Sequence, residues 1–76
     1  MKASKHPPNM KMTLKTAREI CGLTQFKAAQ KLGISVDTLG NYERGKSFPS
    51  IPVLKRIERV YGIEYSQIIF LPLDFG

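Results

Sequence analysis

Residues 25–46, QFKAAQKLGISVDTLGNYERGK, read as two short helices joined by a tight turn. Thr24 stands before the first as an N-cap, its hydroxyl placed to accept an orphan amide of the opening turn, and Leu23 leads in. Ala28, Ala29 and Leu32 recur at helical spacing and form one apolar stripe. Gly33 supplies the left-handed backbone position that ends a helix, which a residue without Cβ enters at no steric cost. Ile34 then turns inward and Ser35 caps a second helix with Leu39 and Tyr42 on its apolar face. Gly45 closes it.

Outward from this pair the chain keeps the same habits. Thr13 caps a first helix with Leu14, Ala17, Ile20 and Cys21 on one face, and Gly22 ends it. After Gly45, the Phe48-Pro49 turn leads into a fourth helix with Ser50 as cap. Its inner stripe is Leu54, Ile57 and Tyr61, supported by Val53 and Val60, and Gly62 stops it. A short fifth helix is expected around Tyr65 to Phe70, with Ile68 plugging the core. The expectation is an all-α fold, a compact bundle of five short helices, with Tyr42, Tyr61 and Phe48 as core aromatics.

Seventy-six residues make one small domain with a modest core. The single cysteine, Cys21, cannot close an internal disulfide, no Cys/His cluster has zinc spacing, and no metal or cofactor is expected. Cys21, one turn from Ala17, reads as a small buried hydrophobe. No apolar run reaches the ~18 residues of a membrane span, and the basic N-terminus lacks the apolar centre of a signal peptide. A cytoplasmic protein is the expectation. Residues 1–11 read as a flexible basic arm with two consecutive prolines, and residues 12–76 as the folded domain. Met10 and Met12 are alternative starts. Lys2, Lys5 and Lys11 either enter a minor groove or belong to an inert tail.

The charge is uneven. Residues 1–46 carry nine Lys/Arg and three Asp/Glu, whereas residues 47–76 carry three of each. The net +6 therefore lies wholly on the arm and the first three helices. A polyanion suits that distribution; a basic surface kept for solubility is the plainer alternative.

Taken together, LTQ at Leu23–Gln25, LGIS at Leu32–Ser35, and YERGK followed by Pro49 resemble the helix-turn-helix domain of phage repressors and Cro proteins (the XRE family). With Gln25 as first position, Ala29, Gly33, Leu39 and Tyr42 fall where that family has a small residue, a glycine and two apolar core residues. The resemblance runs over roughly residues 13–68, with the motif at 25–44. It implies a DNA-binding domain of lambda-repressor type whose helix from Val36 to Arg44, ~14 Å long, lies in a major groove.

With Leu39, Tyr42 and Glu43 turned inward, Val36, Asp37, Gly40, Asn41 and Arg44 face outward. The resemblance makes Val36, Asp37, Gly40 and Asn41 the base-reading positions. The Asn41 amide matches adenine N6/N7, and Val36 can meet a thymine methyl. Asp37 either accepts from cytosine N4 or sits against the helix dipole. Gly40 costs ~0.5–1 kcal/mol in mid-helix, which close approach to DNA or plain drift would each explain. Phosphate contacts are expected from Thr24, Gln25, Lys27, Ser35, Thr38, Arg44 and Lys46. Arg18 and Glu43 match a structural ion pair of the family that ties the first helix to the third. Two positions depart from it: Phe26, usually polar, and Glu58, usually small and apolar.

The C-terminal segment IIFLPLDFG is rich in apolar residues. Ile69, Phe70, Leu71, Leu73 and Phe75 either cap the bundle or form a homodimer interface, as relatives binding paired half-sites do. The resulting expectation is a sequence-specific transcriptional regulator that binds a double-stranded operator as a dimer, of phage or mobile-element type. The alternative on the same fold is a modulator or antirepressor that binds another regulator. An enzyme is not expected, for the chain offers no nucleophile–base constellation and no phosphate loop.

Overall fold

Each helix of the chain starts at a hydroxyl or ends at a glycine because its orphan backbone groups need partners. In a computed structural model, which describes residues 11–70, four helices follow that rule. They are α1 (Leu14–Ile20), α2 (Gln25–Leu32), α3 (Val36–Arg44) and α4 (Ile51–Tyr61). Thr13, Thr24 and Ser35 accept the amides of Thr16, Lys27 and Thr38 at 3.2, 3.1 and 3.0 Å. Gly33 and Gly45 end α2 and α3 at φ +73° and +79°, where any side chain would be strained. At Ser50 the cap differs: the residue holds the N-cap position of α4, but its side chain makes no capping hydrogen bond. Pro52, which has no amide to satisfy, lies in the first turn of α4.

The expected fifth helix is instead a single 3-10 turn, Tyr65–Gln67, followed by a two-residue strand. This strand, β2 (Ile68–Ile69), runs parallel to β1 (Met12–Thr13), pairing Met12 with Ile68 and Thr13 with Ile69. The fold is therefore mostly helical with a small sheet, and not purely α. Glu64 and Gln67 close a capping box around the turn, which spends the Gln67 side chain on the Glu64 amide at 3.2 Å. Two β-branched isoleucines then favour extended backbone, and Ile68 adopts it at φ −95°, ψ 128°. Glu58 contributes as well: its carboxylate accepts the Tyr65 amide at 2.8 Å, which gives this departure from the family pattern a structural task.

Leu14, Ala17, Ala28, Ala29, Leu32, Leu39, Ile57, Tyr61 and Ile63 make the core, closed below by Met12 and Ile68. Small side chains on α1 and α2 let the backbones approach, so α2 packs on both α3 and α4 while α1 packs on α3 and β2. Leu54, Val53 and Val60 are half-buried flanks of the α4 stripe. Ile20 belongs outside it, at 48% exposed. At ~100° per residue the inward arc of α1 is spanned by Leu14, Ala17, Arg18 and Cys21, and Ile20 points well off it. Phe48 is likewise 60% exposed and not core; it meets Phe70 edge-on with ring centroids 5.9 Å apart. Cys21 is half-buried, its thiol donating to the Tyr61 carbonyl at 3.4 Å. Burial pushes the Tyr61 hydroxyl well above its ordinary pKa.

Candidate nucleic-acid interface

α2 and α3 are held in their relative pose from behind by Arg18. Its Nε donates to Glu43 Oε2 at 2.7 Å, its Nη2 to Glu43 Oε1 at 3.2 Å, and its Nη1 to the Leu23 carbonyl at 2.8 Å. One guanidinium thus joins α1, the loop before α2 and the last turn of α3. The hydrogen bond that Arg18 donates to Glu43, outweighing desolvation, raises the Arg18 pKa further. Gln25 Nε2 donates to Glu43 Oε1 at 3.0 Å, so the first residue of α2 joins the same network. Gln25 is half-buried, and its amide keeps one N–H beyond the bond to Glu43.

The opposite face of α3 carries the expected readers. Val36 is 37% exposed, Asp37 and Arg44 are exposed, and Asn41 is half-buried. Asp37 stands in the first turn, where the helix dipole favours an anion. Gly40 differs from its expected open position: it is buried. The cover is Arg44, whose Nη1 would lie 3.2 Å from a Cβ built on Gly40. Arg44 Nη2 also donates to Asn41 Oδ1 at 2.9 Å, so Gly40, Asn41 and Arg44 form one local unit.

Around the rim, the Ser35 hydroxyl accepts the Thr38 amide and donates to Thr38 Oγ1 at 2.9 Å, leaving Thr38 at the outer end of that chain. Thr24 Oγ accepts from the Lys27 amide. Lys27, on α2, and Lys46, just after α3, are exposed. The Lys46 amide donates to the Asn41 carbonyl at 2.8 Å, which directs the chain away from α3. Arg56 Nη1 caps the Leu32 carbonyl at 2.9 Å and so braces the turn between α2 and α3 from α4. That contact spans two helices and leaves no local pattern in the sequence. By contrast, the Asn41–Arg44 bond has the i, i+3 spacing of neighbours on one face.

Of the residues expected at a dimer contact, Ile69 is 44% exposed, and Phe70 is half-buried against Phe48 and Tyr65. Leu71, Leu73 and Phe75, like residues 1–10 of the arm, lie outside the described residues. Phe26 is 61% exposed. Among the described residues no helix is long and apolar enough to cross a membrane.

Residues 14–68 match the family model described as helix-turn-helix. The chain is 36% identical over 56 residues to the HTH-type transcriptional regulator ImmR of Bacillus subtilis, covering 74% of this chain and 44% of that protein. It is 37% identical over 65 residues to an HTH-type transcriptional regulator of Methanocaldococcus jannaschii, covering 86% of this chain and 98% of the relative. A third HTH-type regulator, from Methanothermobacter thermautotrophicus, is 32% identical over 62 residues, with 82% and 90% covered. The chain thus spans under half of the Bacillus protein and nearly all of the two archaeal ones. No solved structure matches it.

Proposed function

Since this chain belongs to the helix-turn-helix family of XRE type, we propose that it is a sequence-specific DNA-binding transcriptional regulator that occupies operator DNA with α3 in the major groove. The observation that carries this reading is the outer face of α3. It presents Val36, Asp37, Asn41 and Arg44 on a helix capped at both ends, with Lys46 exposed just after it, Lys27 exposed on α2 and the Arg18–Glu43 pair fixing it behind. A rigid element with base-matching groups and flanking cations meets the two demands of operator binding, positioning on phosphate and reading of base edges. In this reading Thr24, Gln25, Lys27, Ser35, Thr38 and Lys46 position the domain, the basic arm over residues 1–11 adds charge, and two copies dimerise on paired half-sites. Repression, a phage or mobile-element origin and a cytoplasmic location complete the proposal.

The test is binding to fragments of the neighbouring genomic DNA, titrated in salt against a scrambled duplex. A tight complex on one fragment, with log K falling linearly in log[salt], supports an operator binder. Binding that is weak and indifferent to sequence overturns it. That outcome would favour the second reading, a module that docks on another regulator, for which the exposed Phe26 (61%) and Ile51 (64%) are the observation.

A further inference from the structure

The outer face of α3 holds a mid-helix glycine that is buried by a neighbouring side chain. Gly40 has no side chain, and the Arg44 guanidinium occupies the space one would take: a Cβ there would stand 3.2 Å from Nη1, 3.7 Å from Nη2 and 3.8 Å from Cζ. Seated in this way, Arg44 reaches back along the helix and donates from Nη2 to Asn41 Oδ1 at 2.9 Å. Arg44 remains exposed while Gly40 beneath it is buried, so the guanidinium lies on the surface that would meet a base edge and is not turned aside toward the rim.

This arrangement changes what Asn41 can offer. An isolated asparagine pairs with adenine by donating from Nδ2 to N7 and accepting at Oδ1 from N6. Here one lone pair of Oδ1 already receives an arginine N–H, so donors predominate on this surface: the Asn41 NH₂ and the remaining guanidinium N–H groups. The major-groove edge with two adjacent acceptors is guanine, through N7 and O6. Resting on the reading of the chain as an operator binder, we propose that Asn41 and Arg44 act as one donor-rich reading unit seated on Gly40, and that this unit selects guanine. Arg44 is then a specificity-determining residue and not a phosphate clamp, and Gly40 makes its seat, because a Cβ 3.2 Å from Nη1 would push the guanidinium outward by a few tenths of an ångström. The helix-propensity cost of Gly40 is offset by a function in readout.

The experiment is selection from a randomised duplex pool by the full chain, followed by base-analogue substitution in the winning duplex. A guanine fixed at one position of each half-site is expected. Replacing it with 7-deazaguanine removes N7 and should weaken binding on the order of tenfold or more, whereas inosine keeps N7 and O6 and should bind as guanine does. Arg44→Met removes the guanidinium donors, so the guanine preference should collapse while the salt dependence persists, as it would not for a phosphate clamp. Gly40→Ala should raise the thermal midpoint, being the better helix former, yet weaken the guanine preference. The proposal is overturned if adenine is fixed instead, if 7-deazaguanine binds like guanine, or if Arg44→Met leaves the guanine preference unchanged. Enrichment of a defined sequence without guanine overturns this inference alone. Failure to enrich any duplex overturns the operator-binding reading with it.

Discussion

Glu43 has a side chain 4% exposed and takes hydrogen bonds from Arg18 twice and Gln25 once, so its carboxylate is desolvated and well compensated. The intact pair adds little net stability, because burying both charges costs nearly what their attraction returns; breaking it is another matter. Glu43→Ala leaves Arg18 charged and buried, and the expected loss in urea unfolding is ~3–5 kcal/mol. For a domain whose whole stability is on the order of 4–11 kcal/mol, that is a large share. Combining Glu43→Leu with Arg18→Met should recover most of it; a Glu43→Ala cost below ~1 kcal/mol would mean that water screens the pair. Tyr61 titrates in the alkaline range. Its folded-state pKa is raised from the ordinary 10.0, chiefly by burial, so the folded state holds its proton more tightly than the unfolded chain does. The stability this contributes is fully present below about pH 10 and is lost as pH rises further. Thermal melts at pH 8 and pH 11 should therefore show a steeper alkaline decline for the wild type than for Tyr61→Phe. Equal declines would remove Tyr61 as the cause.

At the scale of elements, what could be read in advance was whatever the chain states locally. α2 and α3 announce themselves through Thr24, Ser35, Gly33 and Gly45, because caps and left-handed glycines act within one turn of their own position. The inward set Leu39, Tyr42 and Glu43 follows from helical periodicity, and so does the exposure of Val36 and Asp37 on the outer face. The local sequence of residues 65–70 suggests a helix where only a 3-10 turn and β2 form, because β2 owes its form to a partner, β1, more than fifty positions earlier in the chain. No periodicity in six residues reports such a pairing. Phe48 lies outside the expected core for a related reason: its ring contact is with Phe70, and an aromatic beside a proline looks the same whether it faces core or water. The burial of Gly40 was hidden more deeply still, since it depends on which way Arg44 folds along the helix. The four helices and the outward face were thus legible, while the sheet and the internal wiring of the site were not.

For the whole molecule, the distribution of charge and the expected pairing of copies meet in one measurable slope. The described body is 38 Å in its longest dimension, close to the ~34 Å that separates half-sites one turn of DNA apart. On the proposed operator reading, two copies would occupy a symmetric operator, one on each half-site. Lys46 is exposed just after α3 and serves in the proposed reading as a phosphate contact. Each phosphate neutralised on duplex DNA contributes about 0.9 to the slope of log K against log[salt]. If Lys46 touches one phosphate per copy, Lys46→Ala should reduce the slope by about 0.9 for a monomer and by about 1.8 for a dimer. Affinity should fall evenly across sequences, because a phosphate contact carries no base information. Sedimentation of the complex at the same salt concentrations supplies the independent count of copies. A slope change near 1.8 with two copies on the duplex supports the dimer. A change near 0.9 with one copy makes the binding unit a monomer, and an unchanged slope removes Lys46 from the interface.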